Sequence, residues 1–316
     1  MASSLFGLQT TLRRSTTLSG IGVHCAKPAT LALHPAPANS GITFRRLCGE
    51  GQEFEIPADF RHVNATDYCT AVGVARGSVA TIEHLMATLS ALQIDNVSVE
   101  IDGAEVPVMD GSAEAFIEAI DKVGVKTLAA PRRFLEIKKT VRVEIGSSFA
   151  EFRPHKGSRI EIEIDFTNPL VGRQSYAAEI DGDSFRRDLA RARTFGFMAD
   201  VERLWARGFA LGASLDNAVV IAEDRVVNPG GLRFVDEFVR HKALDAIGDI
   251  ALAGAPILGC YSSFRGGHKV NHKALEALFA DESAYEMVEL PVRREVAGHA
   301  ALGAGLGVAA YGPDVS

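Results

Sequence analysis

Hydrophobic residues in the first 130 positions recur with two different periods. Within residues 80–92, Ile82, Leu85 and Met86 recur at helical spacing and would share one face of an amphipathic helix. A second helical stripe begins at Phe116, after a turn that offers polar N-cap side chains. Short apolar runs flanked by turn residues predict strands before and between these helices, at residues 31–34, 42–46 and 97–101.

The second half of the chain repeats this order after a break at Pro131. Apolar runs predict strands at residues 134–144, 150–154 and 160–166, and helical patterns follow at residues 184–192 and 235–253. Strands followed by helices, twice over, predict an α+β fold of two similar domains, each a two-layer sandwich with helices on one face of a sheet. We place the domains at residues 1–130 and 131–290, followed by a Gly/Ala-rich and loosely ordered tail at residues 291–316.

Residues 196–221 interrupt the second half with a pattern of their own. Met198, Val201 and Trp205 would line one face of a short helix, and an apolar strand follows at residues 218–221. This βαβ-like insertion has an apolar face, and its composition leaves two interpretations open. The face packs as part of the core, or it forms a groove for an apolar ligand.

Length and charge exclude several classes of protein. The chain has 316 residues, enough for roughly two domains. Its 33 basic and 40 acidic residues give a net charge of −7, which argues against general nucleic-acid binding. The N-terminal residues lack a secretory pattern, no run is long enough to span a bilayer, and the four cysteines form no C-x-x-C pair. We therefore expect a cytoplasmic protein with free thiols and no membrane-spanning segment.

The strongest chemical signal is a stripe of ionisable residues on the last predicted helix. His241, Asp245 and Asp249 follow one another at four-residue spacing and so share one face, while Phe238 and Leu244 mark the helix as buried. Buried carboxylates are strongly disfavoured unless a cation, a hydrogen-bond donor or a metal ion compensates them. The stripe therefore indicates either a His–Asp ion pair or two ligands of a metal ion, with Asp249 free to orient another imidazole.

A catalytic zinc site would need a third protein ligand from elsewhere in the chain. Glu83 and His84 lie in the first turn of the predicted helix at residues 80–92, so His84 could bind the metal while Glu83 acts as a general base. His268, in a basic loop after two glycines, could act as a general acid or stabilise a developing oxyanion, and Thr194 offers a hydroxyl before the insertion. A purely structural interpretation also remains open, with Glu83 as a helix N-terminal charge, His84 as a core histidine and His268 on a surface loop.

Several ordered blocks of the sequence together resemble a known family. These blocks are residues 20–24, 35–41, 81–87, 108–113, 192–198, 231–242 and 267–268. They resemble the UDP-3-O-acyl-N-acetylglucosamine deacetylases, which are metal-dependent enzymes of lipid A synthesis in Gram-negative bacteria. The resemblance extends over about residues 8–285 and does not include the tail.

The resemblance implies a metal-dependent amidohydrolase that removes the N-acetyl group of the UDP-3-O-acyl sugar and releases acetate, the committed step of lipid A biosynthesis. It implies that His84, His241 and Asp245 bind the metal. One zinc ion per chain is expected, with ferrous iron also functional, because two imidazoles and a carboxylate suit either ion. The family fold implies two domains that pack through their helix layers, with the metal at their junction.

The resemblance also implies roles for the other candidates. Glu83 would activate the attacking water, and His268 would protonate the leaving amine. Asp249 would orient His268, and Thr194 would donate to the oxyanion. The residues implied for substrate binding are Lys242 and Arg265 near the UDP phosphates, Phe195, and, along the passage for the 3-O-acyl chain, Met198, Val201, Ser214, Ala218 and Val220.

Two other functions remain open from the sequence. A non-catalytic homologue would keep a nucleotide-sugar pocket without the chemistry, although Glu83, His84 and His268 are all present. A metal hydrolase acting on another acetamido sugar nucleotide would have no need of the apolar insertion. We expect the chain to act as a monomer on its UDP-sugar substrate.

Overall fold

The structure is a computed structural model that describes residues 7–74 and 77–290. The tail predicted at residues 291–316 lies outside the described residues. The fold is α+β, in agreement with the order of strands and helices predicted from the sequence. Within the described ranges, no helix is both long enough and apolar enough to cross a membrane.

The first half is built on a five-stranded sheet in the order β2-β3-β8-β4-β5. β4 and β8 run parallel, and the other neighbours run antiparallel. β8 therefore lies between the two strands predicted at residues 31–34 and 42–46. The helices are α1 (Glu83–Ala91) and α2 (Glu114–Val123). The strands are β1 (Leu8–Leu12), β2 (Thr16–Ile21), β3 (Pro28–Pro35), β4 (Ile42–Cys48), β5 (Gln52–Pro57), β6 (Val63–Ala65), β7 (Ala71–Val72), β8 (Val97–Ile101) and β9 (Val125–Pro131).

Burial alternates along these elements as the sequence pattern predicts. On β8, Val97, Val99 and Ile101 are buried and the residues between them are half-buried, because successive side chains point to opposite faces of a sheet. On α2, Phe116 and Ile120 are buried, as expected for the apolar stripe of an amphipathic helix. The core of the first half therefore lies between one face of the sheet and its helices.

The second half is built on a seven-stranded sheet in which β18 lies between β12 and β13. β11 pairs with β12, and β14 pairs with β13. β10 pairs with β19 on one side and with the first residues of β18 on the other. The helices are α3 (Gly182–Ser184), α4 (Val201–Ala206), α5 (Glu237–Ile250) and α6 (His268–Phe279). The strands are β10 (Arg133–Ile137), β11 (Val141–Ile145), β12 (Ser148–Arg153), β13 (Ser158–Asp165), β14 (Arg173–Glu179), β15 (Phe195–Phe197), β16 (Val219–Ala222), β17 (Arg225–Val226), β18 (Ile257–Phe264) and β19 (Tyr285–Glu289).

The prediction of one strand over residues 134–144 was wrong, because the structure has two strands there, β10 and β11. They lie at different positions in the sheet, β10 beside β19 and β11 beside β12. Lys138 and Lys139 separate them, and both side chains are exposed. Their charges favour solvent, and Lys139 pairs there with Asp281 at 2.6 Å, so the chain turns between the two strands.

The helix predicted over residues 184–192 ends earlier than expected. α3 is followed by a π-helical turn at Phe185–Leu189. Beyond this turn, the Glu237 carboxylate accepts from the backbone N–H and the Nε–H of Arg193 at 3.0 and 2.8 Å. This buried ion pair holds the segment before β15 against the start of α5.

The insertion has the predicted β-α-β order. β15 and β16 run parallel with α4 between them in sequence, and β17 adds an antiparallel edge. Met198, Trp205 and Leu211 are largely in solvent, with exposed fractions of 49%, 55% and 48%, whereas Val219 and Ile221 of β16 are buried in the core. Packing into the core, one of the two interpretations of the pattern, therefore describes β16 but not the side chains of Met198, Trp205 and Leu211.

The two halves of the chain meet where α1 crosses α5. The helices approach each other closely at Gly248, where a Cβ atom would lie 2.0 Å from the carbonyl oxygen of Glu83, so no larger residue fits. Eight of the nine residues of α1 and eleven of the fourteen residues of α5 are buried. The halves thus pack through their helices, and ionisable side chains at the crossing are removed from solvent.

The predicted domain boundary between residues 130 and 131 lies at the end of β9. β9 pairs with β1, whereas β10 pairs with strands of the second half. Arg132 lies between them, is buried, and holds the Asp95 carboxylate at 2.8 Å. The division into two domains agrees with the membership of the sheets and stays a prediction.

Candidate active site

Three candidate ligands from the two halves converge at the crossing of α1 and α5. His84 lies in the first turn of α1, and His241 and Asp245 lie one turn apart on α5. The Nε2 atoms of His84 and His241 lie 3.5 and 3.3 Å from Asp245 Oδ1. All three side chains are buried, and their ligand atoms lie within 4.8 Å of one another. This group could hold a metal ion.

The hydrogen bonds of His241 leave its other ring nitrogen available to a ligand. Its Nδ1–H donates to the carbonyl oxygen of Ala192 at 3.0 Å. Burial lowers the pKa of His241 to about 4, so the ring is neutral at pH 7 and its Nε2 carries a lone pair. A backbone carbonyl that fixes the tautomer in this way is typical of metal-binding histidines.

The two oxygens of Asp245 are held differently. Oδ2 accepts from Lys242 Nζ at 2.8 Å. The buried Oδ1 has no hydrogen-bond partner of acceptable geometry within the described residues. A buried carboxylate oxygen without a donor is strongly unfavourable, and a bound cation would compensate it. The two imidazoles and one carboxylate therefore fit a divalent ion.

Glu83 lies beside the cluster as the first residue of α1. Its Oε2 accepts from the backbone N–H of Thr70 at 3.1 Å, and its Oε1 lies 3.8 Å from His268 Nε2. The side chain is buried, and burial raises the pKa of Glu83 above its usual value. A fixed carboxylate of increased basicity can serve as a proton acceptor.

His268 begins α6 and approaches Glu83 from the second half. Its Nδ1–H donates to Asp249 Oδ2 at 2.9 Å, and the same oxygen accepts from Asn271 Nδ2 at 2.7 Å. Asn271 accepts in turn from the hydroxyl of Tyr261 at 2.5 Å. Burial acts to lower the pKa of His268, but the carboxylates of Asp249 and Glu83 outweigh it and raise this pKa to about 9. The ring is therefore protonated at pH 7 and can donate a proton.

Lys242 and Phe195 lie next to the cluster. Lys242 Nζ is 2.8 Å from Asp245 Oδ2 and 5.7 Å from the centre of the Phe195 ring. That ring packs against Phe238 at 4.9 Å between centroids and lies 6.4 Å from the ring of His241. Both predicted substrate residues therefore flank the α5 ligands.

Backbone hydrogen bonds hold Thr194 in position, and an ion pair holds Arg265. The N–H of Thr194 donates to the Gly111 carbonyl at 2.8 Å, and its own carbonyl accepts from the N–H of Val219 at 2.8 Å. Arg265 pairs with Asp165 at 2.7 Å. Among the described contacts, no hydrogen bond or ion pair joins Thr194 or Arg265 to the metal-ligand candidates. Their predicted roles stay predictions.

The candidate acyl-chain residues of the insertion differ in exposure. They are Met198 and Ser214, which are exposed, Val201 and Val220, which are half-buried, and Ala218, which is buried. The backbone N–H groups of Leu211 and Gly212 donate to the carbonyls of His24 and Val23 at 3.1 and 3.0 Å. The insertion is thereby attached to the loop after β2 in the first half.

Several groups at the site carry no signal in the sequence. Thr70 Oγ1 donates to Asp249 Oδ1 at 2.5 Å, Asn271 donates to the other oxygen, and the carbonyl of Ala192 orients His241. Thr70 and Asp249 are 179 residues apart, so no local spacing connects them. Single polar residues of this kind can be assigned to the site only from the three-dimensional structure.

Comparison with known proteins agrees with this geometry. A model of the family described as UDP-3-O-acyl N-acetylglycosamine deacetylase matches residues 9–280. The chain belongs to this family. The UDP-3-O-acyl-N-acetylglucosamine deacetylases of Brucella ovis and Brucella canis are 56% identical to it over 282 residues, which cover 89% of this chain and 98% of each relative. That of Brucella melitensis is 55% identical over the same length.

The resemblance to the deacetylase family is therefore confirmed. The match to the family model contains the whole crossing of α1 and α5 and extends to Ala280, just beyond the end of α6. Every deacetylase-site candidate, from Glu83 to His268, lies within it. The candidate metal ligands and both proton-transfer candidates thus lie in the part of the chain that matches the family model.

Proposed function

We propose that this chain hydrolyses the N-acetyl group of UDP-3-O-acyl-N-acetylglucosamine and releases acetate, the committed step of lipid A biosynthesis. One observation carries the proposal: the buried cluster of His84, His241 and Asp245 lies beside Glu83 and His268, and so combines a cation site with a base and an acid. Relatives with 56% identity over nearly their whole length carry the name of this activity, which supports the proposal.

Zinc is the proposed ion, one per chain, with Fe²⁺ as an alternative. His84 Nε2, His241 Nε2 and Asp245 Oδ1 would hold it, because this donor set suits both ions. The buried and unpaired Oδ1 of Asp245 supports a cation at this point. When bound, such an ion acidifies a water molecule and polarises the acetamide carbonyl.

Glu83 is the proposed general base. Its Oε2 is held by the N–H of Thr70, so Oε1 is the atom that accepts a proton from the attacking water. The raised pKa of Glu83 increases its affinity for that proton. The water oxygen bonds to the acetamide carbonyl carbon as its proton moves to Oε1.

His268 is the proposed general acid. Asp249 accepts from Nδ1 at 2.9 Å, so Nε2 carries the proton for the leaving amine. Because Asp249 and Glu83 raise the pKa of His268 to about 9, this proton is present at neutral pH. Its transfer as the C–N bond breaks gives acetate and the free amine of the sugar.

Three further side chains would complete the contacts to the polar part of the substrate. Thr194 would donate to the oxyanion that develops on the acetamide carbonyl. Lys242 and Arg265 would lie near the UDP phosphates, with Phe195 beside Lys242. Asp245 and Asp165 hold the two cations at 2.8 and 2.7 Å, which supports fixed positions for them.

The insertion supports an acylated substrate over an acetamido sugar nucleotide without an acyl chain. Exposed apolar side chains are unfavourable in water, and an acyl chain would cover them. The residues proposed to line its passage are Met198, Val201, Ser214, Ala218 and Val220. This arrangement would place the acyl chain along the insertion and the sugar at the crossing of α1 and α5.

We also propose that the protein is a cytoplasmic monomer. The thiols of Cys25, Cys69 and Cys260 are free, which agrees with a reducing compartment. Light scattering at several concentrations tests the monomer, and a mass of two chains would contradict it.

Metal analysis of the purified chain, combined with an acetate-release assay on UDP-3-O-acyl-N-acetylglucosamine, tests the proposed activity. We expect about one zinc or iron ion per chain and an activity that chelation abolishes and added Zn²⁺ restores. A metal-loaded chain that releases no acetate would refute the activity. Unchanged metal content in His241→Ala would instead refute the assignment of ligands.

A further inference from the structure

Thr70 uses all of its polar groups at the proposed active site. It precedes β7 and is 2% exposed. Its backbone N–H donates to Glu83 Oε2 at 3.1 Å, and its carbonyl oxygen accepts from the N–H of Ile82 at 3.3 Å. Because Ile82 directly precedes α1, these two bonds fix the Thr70 backbone against the start of the helix that carries Glu83.

The hydroxyl of Thr70 reaches across to the second half of the chain. Oγ1 donates to Asp249 Oδ1 at 2.5 Å, while Oδ2 of the same carboxylate accepts from His268 and Asn271 at 2.9 and 2.7 Å. Both oxygens of Asp249 are therefore held. The carboxylate cannot rotate away from His268 without breaking buried hydrogen bonds, which is strongly unfavourable.

One residue thereby connects the two groups that transfer protons. The N–H and the Oγ1 of Thr70 are separated by two carbon atoms, so within one χ1 rotamer their spacing is fixed. Glu83 is attached to the first and Asp249 to the second, and Asp249 in turn holds His268. The relative positions of base and acid therefore depend on Thr70.

We propose that Thr70 is a positioning residue of the deacetylation reaction, whose hydroxyl fixes Asp249 and through it His268, while its N–H fixes the Glu83 carboxylate. This inference rests on the proposed function, because the positions matter only if Glu83 and His268 transfer protons. The hydrogen bonds of Thr70 go to Glu83, Ile82 and Asp249 and not to the candidate metal ligands. Its loss should leave metal binding intact.

Two substitutions separate the hydroxyl from the shape of the side chain. Thr70→Val keeps the shape and removes the hydroxyl, and we expect kcat to fall about 10- to 100-fold with KM changed less than about threefold. Thr70→Ser keeps the hydroxyl and should retain kcat within about threefold of the wild type. Steady-state assays on UDP-3-O-acyl-N-acetylglucosamine and elemental analysis of each variant provide the measurements.

Thr88→Val is the matched control. Thr88 is also buried, and its hydroxyl donates to the His84 carbonyl at 2.9 Å within α1, away from both carboxylates. Loss of the Thr88 hydroxyl should therefore leave kcat close to that of the wild type.

Wild-type kcat in Thr70→Val would overturn the inference. Equal losses in the Val and Ser variants would also overturn it, because they would indicate packing alone. If Thr70→Val fails to fold by circular dichroism, Thr70→Ala is compared with Thr70→Ser, and equal rates in that pair would be decisive against a role for the hydroxyl. A metal-loaded wild-type chain that releases no acetate would refute the proposed function, and this inference with it.

Discussion

The crossing of α1 and α5 buries ionisable side chains, whereas the insertion exposes large apolar side chains to solvent. At the crossing, Glu83, His241 and Asp245 have exposed fractions of 3%, 1% and 4%, whereas Met198 and Trp205 of the insertion are 49% and 55% exposed. Buried ionisable groups and exposed apolar groups are each unfavourable in the protein alone. The proposed ligands would compensate both, a cation at the crossing and an acyl chain at the insertion.

The difference between these regions matches the two ends of one amphipathic substrate. The crossing is fixed by close backbone packing at Gly248 and by hydrogen bonds to both oxygens of Asp249. The insertion exposes Met198 just before the short helix α4 and Trp205 on it, and is attached through backbone bonds to His24 and Val23. We therefore expect substitutions at the crossing to have large effects and substitutions in the insertion to have smaller, substrate-dependent effects.

The largest effect is expected from Gly248→Ala. The added methyl group would lie 2.0 Å from the carbonyl oxygen and 2.7 Å from the carbonyl carbon of Glu83, and these backbone atoms cannot move aside easily. We expect a loss of more than about 4 kcal/mol in the free energy of unfolding, together with loss of the metal site. Chemical denaturation and elemental analysis measure both.

Gly230→Ala is the matched control, because a Cβ at Gly230 meets nothing within 4 Å. It should leave stability and metal content close to those of the wild type. Normal stability in Gly248→Ala would contradict the close crossing of the helices.

Glu83→Gln should have the next largest effect, on activity alone. The amide oxygen can still accept from the N–H of Thr70, but the side chain can no longer take a proton from water. If Glu83 is the base, kcat falls about 10²- to 10⁴-fold while metal content stays near that of the wild type. Acetate release and elemental analysis check this, and full activity would remove Glu83 from the mechanism.

Asp249→Asn tests the acid through the pH dependence of activity. The pKa of His268 is raised to about 9, so its acidic form is present below that pH and is lost above it. The negative charge of Asp249 contributes most to raising this pKa. Its removal should therefore move the alkaline limb of the pH profile of kcat/KM to lower pH. Glu276→Gln, which removes a carboxylate beside Lys273 on α6, should leave the limb in place. An unmoved limb in Asp249→Asn would argue against His268 as the acid.

The smallest effect is expected in the insertion. Val201→Asp places a charge at a half-buried position at the start of α4 and should lower the free energy of unfolding by about 1 kcal/mol or less. We expect kcat/KM to fall about tenfold for a long-acyl substrate and to stay unchanged for a short-acyl one. If the variant kept the wild-type kcat/KM for the long-acyl substrate as well, the insertion would not bind the acyl chain, and the difference proposed between the two regions would be wrong.

The part of the site on α5 was predictable because it follows a local rule. His241, Asp245 and Asp249 share a helix face by spacing alone, and the cost of buried carboxylates indicated a compensating partner. Spacing could not decide between an ion pair and a metal site, since His241 and Asp245 are close in either case. The approach of His84 to 3.5 Å from Asp245 makes a three-ligand cluster, and this approach depends on the crossing at Gly248.

Other features depend on contacts between distant segments and were not predictable locally. The apolar run over residues 134–144 resembled one strand, but Lys138 and Lys139 divide it between two places in the sheet. Thr70 and Asn271 are isolated polar residues whose partner, Asp249, lies on another element. The exposure of Trp205 likewise follows from what the fold leaves uncovered, and the hydrophobic pattern alone was equally consistent with burial.

Anomalous X-ray diffraction from crystals of the purified chain, recorded at the zinc and iron edges, tests the central claim most directly. The account predicts one peak at about 2.0–2.2 Å from His84 Nε2, His241 Nε2 and one oxygen of Asp245. A metal-loaded chain with no peak between these three side chains, or with its peak elsewhere, would contradict it.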